Sequence, residues 1–158
     1  MSHTIDLFTI PAADKDRLRV LFLAKHAASG GQLHGEDGNH AVYHHEVLDT
    51  LRAIGLDVTP ANDFTALFEK TDFDYVFTLL NRAGYPMSEM LGPLLAQRIG
   101  LPALGASAIL RGLSDDKHLM KTVAVARGVP VAPWLIARRG YQWIPYPDFA
   151  FERLVVKP

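Results

Sequence analysis

The sequence predicts an α/β fold, an open and mostly parallel sheet with flanking helices. Three observations predict it. Residues Arg17–Lys25 (RLRVLFLAK) form a nearly continuous apolar run, the pattern of a strand buried on both faces. Residues His40–Ile54 place Val42, Val47, Leu48, Leu51 and Ile54 at helical spacing, and Gly55 closes the pattern. Strand and helix patterns then alternate to residue 104 across glycine- and proline-bearing loops, which implies parallel strands with ligands at their carboxyl ends.

The elements follow in order. Residues 1–16 are an irregular lead-in that Pro11 keeps from forming a strand. After the first strand comes a glycine-rich loop, HAASGGQLHGEDGN, and then the His40–Ile54 helix. Leu56–Thr59 is the second strand, Asp63 caps the short segment FTALFEK, and Asp74–Leu80 (DYVFTLL) is the third. The loop NRAGYPMSE leads into a helix from about Ser88 to Arg98, ended by Gly100 and Pro102. Pro93 inside it is expected to kink the helix or move its start later. Leu101–Leu104 is a short fourth strand.

Composition shifts after Gly112, so residues 1–112 read as one α/β domain and residues 113–158 as the opening of a second. There Ser114 is placed to cap a helix, with Asp115 and Asp116 in its first turn and Leu119, Met120 and Val123 on one face. Gly128 and Pro130 end it. Val131–Arg138, a turn at Arg139-Gly140, the segment WIPYPDF and a strand over Glu152–Lys157 complete the chain. One helix and two or three strands cannot close a core, so this second domain is expected to be incomplete. Its uncovered apolar strands, VAPWLIA and LVV, predict self-association as a homodimer.

Composition excludes several classes of function. The chain has 158 residues, 49% hydrophobic, with a formal net charge of −1, which gives no reason to expect nucleic acid or an anionic membrane as partner. It contains no cysteine, hence no disulfide framework, thiolate metal site or cysteine nucleophile. No signal-peptide pattern opens it and no apolar run approaches the roughly 20 residues of a membrane helix. A cytoplasmic location is the expectation.

Four places carry candidate chemistry. The loop before the first helix has neither G-x-G-x-x-G nor a P-loop, but it lies where an open sheet places its ligand; a flexible acidic loop is the plain alternative. Five histidines (His26, His34, His40, His44 and His45) surround it; His40 and His44 share a helix face, either as metal ligands or simply facing solvent. With H-E-x-x-H absent, no metal is assigned. In NRAGYPMSE, Arg82 suits a substrate carboxylate and Glu89 an ammonium or a helix cap; a surface Arg–Glu pair is the plain alternative. Lys117, a cation at a helix start, either completes an anion site or is solvated beside its aspartates. Lys157 extends an apolar strand face, to meet an anion or to snorkel to water.

The order LPALGAS, then SDDKHLMKTVAVARGVPVAPW, resembles the domain junction of D-alanine–D-alanine ligases and their ATP-grasp relatives. Lys117, Lys121, Gly128, Pro130, Pro133 and Trp134 match that pattern position by position. The resemblance implies a pre-ATP-grasp domain over 1–112, followed by the start of an ATP-grasp domain. It implies an ATP-dependent carboxylate–amine ligase, proceeding through an acyl phosphate, with ATP and Mg²⁺ as cofactors of a full-length enzyme and none held by this chain alone. It further implies an amino acid or dipeptide-type substrate, a possible place in peptidoglycan biosynthesis, Glu36 as partner of the substrate ammonium, and Lys117 and Lys157 on the nucleotide phosphates. The family's metal-binding acids would lie beyond Pro158, so the chain alone is expected to be inactive. The family's HG…GEDG motif does not occur at the second loop, which reads Asn81–Glu89 instead. HGEDG does occur at His34–Gly38, in the preceding loop, and is not equated with that motif. The rival reading is a non-catalytic small-ligand-binding or dimerisation module of the same fold.

Overall fold

The computed structural model describes residues 9–69, 72–80, 88–136, 140, 153 and 155. The elements run α1 (Ala12–Lys15), β1 (Arg19–Ala24), α2 (His40–Ala53), β2 (Asp57–Ala61), α3 (Ala66–Glu69), β3 (Tyr75–Leu79), α4 (Ser88–Arg98), β4 (Ala103–Leu104), α5 (Ala108–Asp115) and α6 (Lys117–Ala126). The chain divides into two compact units, Met1–Gly112 and Leu113–Pro158.

In the first unit all four strands are parallel, in the order β2-β1-β3-β4. The class is α/β, as expected. From β1 the chain crosses to β2 on one side and then to β3 on the other, so the topological switch point lies at β1 and β3. An open sheet binds its ligands at the carboxyl ends of those two strands.

β1 holds the centre because its run from Val20 to Ala24 is buried on both faces. Alternation divides the run. Val20, Phe22 and Ala24 pack with Leu48 of α2 and Val58 of β2; Leu21 and Leu23 pack on the other face with Leu67 of α3 and Ala96 of α4. Phe22 stacks on Phe77 across the β1–β3 pair, ring centroids 5.7 Å apart. Each buried methylene stabilises by about 0.8 kcal/mol, so these two clusters supply the main drive to fold. Pro60 lacks an N–H and lies in β2, an edge strand, where a missing donor is tolerated. Arg19 and Asp74 join the amino ends of β1 and β3: the Arg19 N–H donates to the Asp74 carboxylate at 2.9 Å and its Nε at 3.3 Å. Asp63 accepts from the Thr65 N–H at 2.7 Å and holds the entry to α3.

Several boundaries differ from expectation. Pro93 does not delay its helix, since α4 begins at Ser88 and contains it. A proline removes one hydrogen bond, and the packing of Ala96 and Leu95 on the sheet outweighs that loss. α4 also approaches β3 very closely: a Cβ on Gly92 would lie 2.8 Å from the hydroxyl of buried Thr78. Ala108–Asp115 form the helix α5, with Ser114 inside it. Ser114 is therefore not an N-cap. Asp116 is: it has extended backbone and its carboxylate accepts from the Leu119 N–H at 2.9 Å.

In the second unit α6 ends at Arg127 and Gly128 (φ +72°), and the chain returns along it. Lys121 Nζ donates to the Ala132 carbonyl at 3.0 Å and lies 5.5 Å from the Trp134 ring centre. Trp134 Nε1 donates to His118 Nδ1 at 2.8 Å. Val131–Ile136 form no strand, so self-association argued from VAPWLIA loses that ground. The strand expected at Glu152–Lys157 lies outside the described residues, apart from Arg153 and Val155. No described helix is long and apolar enough to cross a membrane.

Candidate functional site

The loop that leaves the carboxyl end of β1 is bound down residue by residue. Ala27 and Ser29 turn back on Ala24 and His26 through backbone bonds of 3.0 and 3.2 Å. The Ala28 N–H donates at 2.9 Å to the side-chain oxygen of Asn62, which follows β2. Further on, His34 and Gly38 exchange backbone hydrogen bonds of 3.2 and 2.8 Å, so HGEDG closes into a tight loop with Glu36 at its tip.

Asp37 docks that small loop onto β1. Its Oδ2 accepts from Lys25 Nζ at 2.5 Å and pairs with His26 Nε2 at 2.7 Å. His34 Nδ1 stands 3.9 Å from the same oxygen. The Asp37 and His26 side chains are almost fully buried, whereas that of His34 is half open. The Lys25 hydrogen bond, seconded by that from His26, holds the Asp37 carboxyl well below the usual carboxylate range. Beneath His26 lies His44 of α2, fully buried, whose Nδ1 accepts from the His26 backbone N–H at 3.3 Å. Burial, then the neighbouring His26 and His40, push the His44 imidazole down to about 4.

Chemically, the loop offers one exposed carboxylate at its tip and a knot of charged groups beneath it. Glu36 is exposed, and no described residue donates to its carboxylate; its backbone N–H donates to His34 Nδ1 at 3.3 Å. An ammonium reaching the β1 edge would meet that carboxylate. Among the described residues the group able to converge on a metal is His26, His34 and Asp37; the helix-spaced His40 and His44 are not part of it. Mg²⁺ prefers oxygen ligands in near-octahedral array, so two imidazoles and one carboxylate do not fit it.

With this geometry in view, the chain aligns to a D-alanine–D-alanine ligase of Geobacter sulfurreducens at 28% identity over 115 residues, 71% of this chain and 36% of the relative. The fold superposes on the crystal structure of a D-alanine–D-alanine ligase from Aeromonas hydrophila with a TM-score of 0.54 at 19% identity, covering 79% of this chain and 52% of that one. The chain is D-alanine–D-alanine ligase-like. No family model matches it. The matched part is about a third of the curated relative's length, and about half of the solved chain's.

The other expected site residues in this ligase-like chain distribute as follows. Glu89 is the second residue of α4, half-buried in the first turn after the β3 loop. Arg82 and Lys157 lie outside the described residues. Lys117 opens α6 in the second unit, exposed, and its ammonium donates to the Ser114 carbonyl. The apolar depression of about 470 Å³ in that unit, lined by Val125, Val129, Pro130, Val131, Pro133 and Trp134, presents no charged lining residue to a phosphate or a zwitterion. Lys25 and Asp37 were missed by sequence reasoning. Their signal was a Lys-His pair at a strand's carboxyl end and a His-x-x-Asp spacing nine residues later, neither distinctive without the loop closure.

Proposed function

We propose that this chain supplies the amino-substrate side of an ATP-dependent carboxylate–amine ligase of the D-alanine–D-alanine type. The observation that carries the reading is the position of Glu36, exposed on a closed loop that Asp37 fastens to the carboxyl end of the central strand at the switch point. A carboxylate held there suits the ammonium of an amino acid through a charge-assisted hydrogen bond. Glu89, after the neighbouring strand, and Arg82 in the preceding loop would complete recognition of the zwitterion.

Nucleotide binding is assigned to Lys117 and Lys157. Lys117 would exchange its bond to the Ser114 carbonyl for phosphate oxygens at the start of α6. ATP, when bound, would supply the phosphoryl group that activates a carboxylate as an acyl phosphate. The described residues offer no oxygen-rich set for Mg²⁺, so the chain by itself is expected to bind substrate without turning over ATP.

Titrating the ¹⁵N-labelled chain with D-alanine tests this reading. Shifts concentrated at residues 25–39 and 88–90 support it, and shifts confined to the second unit, or none, overturn it. Phosphate release from ATP above background would refute the expected inactivity.

A further inference from the structure

We propose that the loop following β1 carries a site for a divalent transition-metal ion of the Zn²⁺ class, with His26 Nε2, His34 Nδ1 and Asp37 Oδ2 as its three protein ligands. The three donor atoms lie within 4.8 Å of one another. A tetrahedral ion with ligand bonds of about 2.0–2.1 Å sets its donors roughly 3.3 Å apart. Two measured separations bracket that value: 2.7 Å from His26 to Asp37 and 3.9 Å from His34 to Asp37. The third pair, His26 with His34, lies within 4.8 Å, so shifts of about an ångström or less at each donor would complete the coordination.

The surroundings suit a cation. Asp37 Oδ2 already has a positive group against it, the Lys25 ammonium at 2.5 Å. Lys25 is thus the resident competitor, and its four-carbon stem lets the ammonium swing to water when an ion takes its place. His34 Nδ1 accepts from the backbone N–H groups of Glu36 and Asp37 at 3.3 and 3.4 Å, so it presents a lone pair and not a proton. Those bonds are long and are given up at little cost. The His26 main chain is fixed from behind by the buried His44, the kind of backing that holds a ligand in place. His34, the more exposed member, leaves one side open for entry and for a fourth ligand from solvent.

Two nitrogen donors and one oxygen select a borderline ion over Mg²⁺ or Ca²⁺. The site stands apart from the amino-substrate reading, since none of its ligands is Glu36. The alternative is a purely structural knot in which Lys25 and His26 pin Asp37, and the two make opposite predictions for Lys25. Removing the lysine weakens a structural knot but frees a metal site.

The test uses the metal-free, untagged 158-residue chain titrated with Zn²⁺ against a chromophoric chelator and with Co²⁺ followed by its visible absorption. One equivalent should bind, with the intense visible bands of a four- or five-coordinate Co²⁺ centre. His34→Ala and Asp37→Asn should each weaken Zn²⁺ binding at least tenfold, Lys25→Met should tighten it several-fold, and His40→Ala should leave it within twofold. Should Asp37→Asn melt early by circular dichroism, His34→Ala decides, because the half-open His34 ring is not core. Absence of stoichiometric binding, binding indifferent to His34→Ala, or weaker binding in Lys25→Met overturns the proposal. So does loss of binding in His40→Ala, which would move the ion to the α2 face.

Discussion

The backbone N–H of His26 donates to Nδ1 of His44 at 3.3 Å, inside the fold and 18 residues apart in sequence. Because Nδ1 accepts, a neutral His44 carries its proton on Nε2, and that buried atom finds no partner among the described residues. The imidazole is thus held neutral in a site that penalises its charged form. Folded, it protonates at about 4 instead of the ordinary 6.5.

That difference fixes a pH dependence. Between those two values the unfolded chain holds more protons, so stability falls as pH drops from about 6.5 towards 4 and is unaffected by this group above 6.5. His26, His40 and Asp37 are the charged neighbours that act on it. Urea unfolding in a chelating buffer should show the wild type losing stability between pH 7 and pH 5. His44→Gln, which keeps an acceptor but does not titrate, should lose less over the same interval. Equal slopes would show that His44 does not titrate as described.

The sheet centre gives a second expectation. Phe22 is fully buried and stacked on Phe77, so Phe22→Ala should cost about 3–5 kcal/mol, enough to unfold a marginal domain. Phe22→Leu keeps most of the volume and should cost markedly less. Denaturant midpoints of the two variants decide it; a Phe22→Ala chain as stable as wild type would contradict the packing.

Gly92 is the third. A methyl there would meet the Thr78 hydroxyl at 2.8 Å, so Gly92→Ala should destabilise by about 1–3 kcal/mol, although alanine is the better helix former. Pairing it with Thr78→Ala should recover part of the loss. A thermal melt of the double variant no higher than that of Gly92→Ala would place the strain elsewhere.

The cap of α6 is the fourth. Asp116→Ala removes the acceptor of the Leu119 N–H and should cost about 1 kcal/mol, while Ser114→Ala should cost far less. Urea unfolding followed by circular dichroism reads both.

How far these features were legible in the sequence depended on the range of the interaction. Val20–Ala24 announced a two-faced buried strand because every residue in the run had to be apolar, and the α2 stripe was written at helical spacing. The choice between Ser114 and Asp116 was not legible, since both are good caps and α5 occupies the preceding residues. The loop could be placed on the ligand edge from strand order, and the family resemblance singled out Glu36 within it. Its fastening through Asp37 to Lys25 could not be read, because that contact depends on the closure of His34 on Gly38. The histidines were visible as a cluster and helix spacing put His40 and His44 on one face, but His44 is buried, and loop closure brings His26, His34 and Asp37 together.

The roles proposed for Glu36 and Lys117 are separable. Calorimetric titration with D-alanine and with ATP measures them in a full-length ligase carrying this segment, as wild type, Glu36→Ala and Lys117→Ala. Loss of one charge-assisted contact costs about 1.5–3 kcal/mol, roughly ten- to a hundredfold in affinity. Glu36→Ala should weaken D-alanine by that factor and leave ATP unchanged, and Lys117→Ala should do the reverse, with both variants melting like the wild type. D-alanine binding untouched by Glu36→Ala, or ATP binding weakened by it alone, would contradict the assignment.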